Sequence, residues 1–324
     1  MASRAEIEKS QRGTRSQHGF VLLVVLSALG LLAVVAASFA HVARNHIKLA
    51  AVASEGARAE ALADAGVHIV ILDLVAARES QPPNRRFALD ATPVTCSIGG
   101  DGATLRIAVQ DEAGKVDLNI SNQPLIRALV LGLGLSTGEA AIDAILDYRD
   151  EDDNRRVSGA ERAEYLAAGR SHGPRNGPFL AIEELGSVLG ITQADADRLR
   201  PFVTIHSGLA AIDTNVAPKA LIDIIARGVG QGGGQSLLEG GLAASNLPVM
   251  GSRGGQLPPQ FLAASTRRAF SVRSEARLAG ATFVREAVIE FVAPSVSAFL
   301  LRRWYRGSAA TPGVSHAAET LPPC

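Results

Sequence analysis

The sequence is poor in cysteine, in net charge and in grouped histidines, and each shortage excludes something. Cys96 and Cys324 are its only cysteines. Two thiols so far apart build no disulfide framework. They leave two readings open: a pair formed in an oxidising compartment, or a buried thiol at Cys96 and a loose one at 324. The 32 basic and 32 acidic side chains cancel, so no basic field reaches out to a nucleic acid. Seven histidines are scattered without a His-x-x-x-His metal pair. Ser171-His172 and His206-Ser207 are neighbours along the chain, which assembles neither an acid nor an oxyanion site around them. The glycine-rich run at 229–241 lacks the Gly-Lys-Ser/Thr ending of a phosphate loop. It reads as a mobile loop, as do 251–260 and the tail after Gly307. These absences point away from an enzyme.

A local absence is more informative. Residues 20–40 contain no charge and no proline. A helix of about 20 apolar residues matches a hydrocarbon core of about 30 Å at about 1.5 Å rise per residue, and exceeds the core of a secretory signal. Arg4, Lys9, Arg12 and Arg15 precede the run, partly offset by Glu6 and Glu8; Arg44 and Lys48 follow it. The basic leader predicts a cytoplasmic N-terminus, one membrane pass and a body outside the cytoplasm from about residue 41.

No proline interrupts 41–80, which is alanine-rich and carries Leu62, Ile69 and Leu72 at near-helical spacing, so the helix is expected to continue. Alternating Val94, Cys96 and Ile98, a Gly-Gly-Asp-Gly turn, and alternating Leu105, Ile107 and Val109 predict a β-hairpin. A second alternating block at 269–292 breaks at Ala279-Gly280, and a further strand is expected at 299–306. The pattern between the blocks is helical. Strands, helices, then strands predict an α-domain inserted into a sheet domain. A membrane anchor joined to an unrelated soluble domain is the alternative.

The insert shows helix boundaries. Pro124 marks the first turn of a helix ending near Leu131. Ser136-x-x-Glu139 and Ser158-x-x-Glu161 have capping-box spacing, and Thr192 is expected to cap 193–199. Pro218 opens another helix, with Gly228 expected at its C-terminal end. "LGL" at 133–135 and "LGI" at 189–191 each join two short helices. They are similar to helix-hairpin-helix turns, which bind DNA phosphates, so a membrane-anchored DNA-binding protein is the rival reading. Glu139 and Asp195 follow these turns where basic residues would be needed.

The densest chemistry lies at 147–165. Counted from Asp150, Asp152, Asn154 and Glu161 fall at EF-hand positions three, five and twelve, but position six, where the bend needs glycine, is Arg155. Two readings stay open: a calcium-binding acidic loop of another shape, or a solvated turn neutralised by Arg149, Arg155 and Arg156.

The basic leader, Gly19, Phe20 and the apolar helix resemble a type IV prepilin signal. The resemblance implies cleavage between Gly19 and Phe20 by a prepilin peptidase and methylation of the new Phe20 amine. Such proteins usually carry Glu at the fifth mature position; here it is Val24. A carboxylate inside a bilayer costs about 2.5–3.5 kcal/mol on insertion scales. In pilus-like fibres its partner is a neighbour's amine, so a subunit lacking the acid suits the first place in the fibre. This departure resembles the K-type minor pseudopilins of bacterial type II secretion (general secretion pathway protein K). So do "GKVDLN" at 114–119, Asp147-Tyr148-x-Asp150-x-Asp152 leading to Gly159-Ala160-Glu161 and Tyr165, "NGPFLAIEEL" at 176–185 and "AIDTNVAP" at 211–218. Tyr148 stands where the family usually has Trp.

The resemblance covers about 12–306 and implies an α+β fold: a pilin-like long N-terminal helix packed on an antiparallel sheet, with a large inserted all-helical domain. The implied layout is a cleaved leader at 1–19, a transmembrane segment at 20–40 and a periplasmic helix at 41–80. Sheet segments at 85–118 and 266–306 flank an insert at 119–227 and a flexible connection at 228–265, and 307–324 is a disordered tail. It implies calcium held by Asp147, Asp150, Asp152, Glu161 and Glu164, and no catalytic site. It implies a place in the inner membrane of a Gram-negative bacterium with the body in the periplasm. There the chain would cap the pseudopilus tip with I- and J-type minor pseudopilins, start assembly, and help export folded cargo through the secretin, without binding nucleic acid.

Overall fold

The computed structural model describes residues 15–80, 85–98, 102–231, 257–278, 280–292, 298–309, 322 and 324. The leader residues 1–14, most of the glycine-rich connection and most of the tail lie outside the described residues.

With no proline to stop it, α1 spans Arg15–Glu79 as one 65-residue helix. Two compact units divide the chain, residues 1–58 and 59–324. In the first, the apolar side chains from Phe20 to Leu32 are exposed, and the helix is long and apolar enough to cross a membrane. In the second, the end of α1 buries Ala59, Ala63, Val67, Val70 and Leu74. Of the expected Leu62, Ile69 and Leu72, the first two pack half-buried against this core, and Leu72 is turned away at 69% exposed. Small side chains bring the helix close to the sheet, and they settle the face. A Cβ on Gly66 would lie 2.2 Å from the Ser274 hydroxyl oxygen.

The sheet is antiparallel, in the order β1 (Val94–Ile98), β2 (Ala103–Asp111), β5 (Ala269–Leu278), β6 (Ala281–Phe291) and β7 (Phe299–Arg306). Both expected hairpins form, and Gly280 turns the second at φ 90°. Alternation puts Leu105, Ile107, Val109, Phe270, Val272 and Ile289 on the face toward α1. Each such buried side chain contributes about 1.5–3 kcal/mol.

The chain leaves this sheet at Asp111 and rejoins it at Ala269. Between them lie β3 (Val116–Asp117), paired in parallel with β4 (Val203–Thr204), and helices α2 (Gln123–Leu133), α3 (Glu139–Arg149), α4 (Arg162–Ala167), α5 (Gln193–Leu199) and α6 (Lys219–Gln231). Their core is separate from that of the sheet. α6 does not stop at Gly228, whose absent side chain instead admits the Ala128 carbonyl of α2; a Cβ there would lie 1.8 Å from that oxygen. Residues 257–265 are not a loose connection, because Phe261 is fully buried in the helical core and Ile212 bridges to Leu262.

Two expected capping boxes are displaced. Gly138, not Ser136, precedes α3, with no side-chain cap. Glu161 precedes α4, and its N–H donates to the Glu164 carboxylate (3.0 Å), one turn beyond the expected Ser158. Thr192 caps α5 as expected, and Asn122 caps α2.

Cys96 and Cys324 form a disulfide. The Ser97 N–H donates to the Pro322 carbonyl (2.8 Å) and the Cys324 N–H to the Ser97 carbonyl (2.9 Å). The end of the expected loose tail therefore lies bonded along the β1 edge.

Candidate metal centre

Three of the five expected ligands converge where α3 ends and α4 begins. Asp147, in the last turn of α3, has no solvent exposure, Asp150 caps that helix, and Glu161 is 4% exposed at the entry to α4. The intervening loop folds back because residue 159 is glycine: a Cβ there would sit 1.9 Å from Asp147 Oδ2. Arg156 lies between two of the acids, its Nη1 2.5 Å from both Asp147 Oδ1 and Asp150 Oδ2. Its backbone N–H also donates to Asp147 Oδ2 (3.2 Å).

This single guanidinium does not satisfy the cluster. Asp150 Oδ1 and both carboxylate oxygens of Glu161 are buried without a hydrogen-bond partner. Burial, then the charges of Asp147 and Asp150, with smaller contributions from Asp153 and Asp152, push the Glu161 carboxyl up to about 7. The other two expected ligands are engaged elsewhere. Asp152 accepts from the Asn154 N–H (2.7 Å) in an exposed turn, and Glu164 faces Arg155 (3.5 Å) as well as capping α4. Among the described residues, no group of three or more His, Cys, Asp or Glu side chains is placed to hold a metal ion.

The arginines divide their work in a way that charge counting misses. Arg149 donates to the carbonyls of Leu118 (2.5 Å) and Ser121 (2.7 Å), away from the acids. Of the three arginines expected at the loop, Arg156 is the one that meets Asp147 and Asp150; Gly159, quoted in the sequence only as part of Gly159-Ala160-Glu161, is what lets the loop fold back.

The remaining motif residues brace this centre. Tyr148 stacks on Phe179 with ring centroids 4.7 Å apart and donates to Glu184 (3.2 Å); burial and that carboxylate push its hydroxyl up to about 12. Asn119 ties to Phe179 in both directions, accepting from its N–H (2.7 Å) and donating to its carbonyl (3.1 Å). Asp117 accepts from Ser207 Oγ (3.0 Å) and the Gly208 N–H (2.9 Å).

The two helix-joining turns hold each other. Gly134 and Gly190 both have positive φ. Asp195, beside the second turn, accepts from the Ser136 N–H (3.3 Å) and hydroxyl (2.7 Å) beside the first, and from the Thr192 hydroxyl (2.8 Å). A carboxylate of the chain itself thus takes the turn donors that a phosphate would need. Gly134-Leu135-Ser136-Thr137-Gly138 also has Gly-x-Ser-x-Gly spacing, but it lies between two helices rather than after a strand, and Ser136 is bound to Asp195.

A long helix on an antiparallel sheet, interrupted by a helical insert, defines a pilin-like α+β protein. Residues 107–208 match the family model of type II secretion system (T2SS) protein K. Type II secretion system protein K of Pseudomonas aeruginosa is 26% identical over 226 residues, covering 63% of this chain and 66% of that protein. The chain thus aligns with just under two thirds of that relative's length. The fold is similar to GspK in the crystal structure of the GspK-GspI-GspJ complex from the enterotoxigenic Escherichia coli type 2 secretion system. That match has a TM-score of 0.56 at 17% identity and covers 80% of this chain and 99% of the other. The segment from residue 107 to 208 is thus similar to the type II secretion protein K family.

Proposed function

We propose that this chain is a minor pseudopilin that caps the tip of a type II secretion pseudopilus, helps to start its assembly and supports export of folded proteins across the outer membrane. The observation that carries the reading is the union, in one chain, of a pilin-like helix and sheet with a protein K segment. The E. coli relative was crystallised with GspI and GspJ, which supports I- and J-type minor pseudopilins as partners. Val24, in place of the usual acid, supports a first position in the fibre. Residues 20–40 anchor the chain in the inner membrane and the body lies in the periplasm. A prepilin peptidase removes the residues through Gly19 and methylates Phe20. The role is structural rather than catalytic.

Calcium is the ion we assign to the acidic loop. The residues fit it: a hard cation takes about 6–8 oxygens, and the loop offers buried carboxylate oxygens that have no partner. Asp147, Asp150 and Glu161 would hold it. Asp152 and Glu164 join the set only by giving up the turn and cap bonds they make. Bound calcium supplies the positive charge that one guanidinium does not. Arg156 holds Asp147 and Asp150 together.

Mass measurement of the membrane-extracted protein tests the leader. It should show loss of residues 1–19 and one added methyl group; an intact leader in cells with active peptidase overturns the reading. Immunogold labelling of sheared fibres tests the position. Label at the ends supports the tip, and label along shafts sinks it.

A further inference from the structure

The sheet face turned away from α1 is the floor of a cleft of about 610 Å³, roofed by the insert. Its charges do not balance. Three acids face it, and each has its own cation: Glu112 with Lys115 (2.8 Å), Glu183 with Arg303 (2.7 Å), and Glu286 with Arg273. Two guanidiniums make no ion pair with the cleft wall. Arg106, exposed on β2, lies opposite Glu275 in the register, but that acid pairs with Arg277 and is not part of the cleft. Arg200 pairs with Asp197, an exposed i,i+3 neighbour outside the cleft wall whose pairing is worth little, and it shares with Arg303 the charge of Glu183. Its Nε is shielded from solvent and has no acceptor. A shielded donor of this kind is destabilising until something accepts from it.

The walls between these charges are apolar, with Pro93, Ile182, Val288 and the Tyr305 ring. An inorganic anion would answer the guanidiniums and leave most of the volume and all of the apolar wall unused. An extended chain with alternating carboxylates and aliphatic side chains answers both. The volume falls within the range of about 300–1,000 Å³ typical of ligand clefts.

We infer that the cleft between the outer sheet face and the helical insert binds an extended peptide segment bearing carboxylates, with Arg106 and Arg200 as its anchors. Guanidinium–carboxylate pairs set the affinity and its salt dependence. The site is independent of the acidic loop and does not depend on the chain's place in a fibre.

The test uses the full chain in detergent micelles with calcium present. The probe is a fluorescein-labelled octapeptide of alternating Glu and Val, followed by anisotropy. Saturable, salt-sensitive binding is expected, weakened about tenfold or more by R106E or R200E. R227E, the same charge change on the exposed side of α6, should leave binding unaltered, and R106K should retain most of it. A Gln-Val octapeptide should bind at least about tenfold more weakly. Absence of saturable binding overturns the inference. So does an equal loss in R227E, or displacement of the peptide by equimolar inorganic phosphate, which would mean a simple anion site.

Discussion

Acidic side chains are handled in opposite ways in the sheet and in the loop between α3 and α4. In the sheet, each of several carboxylates meets a guanidinium. Glu290 lies between Arg268 and Arg302 (both 2.6 Å), Glu275 meets Arg277 (2.6 Å), and Arg285 reaches from β6 to Glu60 (2.7 Å) and Asp64 (2.5 Å) on α1. In the loop between α3 and α4, Arg156 serves both Asp147 and Asp150, and nothing serves Glu161. Burial raises the Glu161 carboxyl, whereas the two arginines offset burial at Glu290 and hold it below its usual value. Several sheet carboxylates thus have a guanidinium each, whereas the loop shares one guanidinium between two acids and leaves a third without one.

The largest effect that can separate the two regions is reduction of the disulfide. Cutting Cys96–Cys324, which spans 228 positions, should cost about 2–5 kcal/mol on loop-entropy grounds. Denaturant unfolding of the C324S variant should show this loss, while the calcium response of the loop stays intact. If both fall together, the regions are not separable in the way proposed.

Next comes the ion itself. Calcium at about a hundredfold over its dissociation constant should stabilise the protein by about 2.7 kcal/mol. A thermal melt with and without chelator reads it; an identical melt removes the metal assignment. E161Q should abolish that response and, in chelator at pH 7.5, leave the protein more stable than the parent.

A pH series in chelator is comparable in size. The folded-state value of Glu161, about 7, lies above the ordinary 4.5, so the folded protein binds the extra proton. Stability should therefore fall as pH rises from about 4.5 through about 7, by about 3 kcal/mol if Glu161 acts alone. Calcium should remove this slope; a slope of opposite sign in chelator contradicts the picture of an unpartnered buried acid.

The smallest expected effect is in the sheet. R285A strips the partner from Glu60 and Asp64 and the cation from the Phe283 and Trp304 rings. With both acids partly exposed, about 1–2 kcal/mol should be lost, equally with calcium or chelator. A calcium-dependent loss would join two regions here held to be distinct.

Much of this architecture was legible in the sequence, for local reasons. Missing prolines gave α1 its length, period-two alternation gave both hairpins, and the order of strand and helix blocks gave the insertion. The burying face of α1 was legible only in part: Leu62 and Ile69 flank it, but close packing selects Ala59, Ala63 and Gly66 over the bulkier Leu72. At the acidic centre, counting EF-hand positions from Asp150 took in Asp152, Asn154 and Glu161. The fold gathers Asp150 and Glu161 with Asp147 and leaves Asp152 in an exposed turn, because Gly159 folds the loop back onto α3. Which arginine meets which acid depends on the path of the backbone, and that is not written in spacing.

One register pair carries a consequence of its own. Asp111, where the chain leaves β2, lies directly opposite Phe270 at the start of β5. To the sheet, the whole helical body is therefore a hairpin turn of unusual size, with its two feet on adjacent strands. Excising it and closing the gap with a tight Asn-Gly turn should leave a small pilin-like module able to pair its strands in the same register. Such a module would be a natural place to graft a different head.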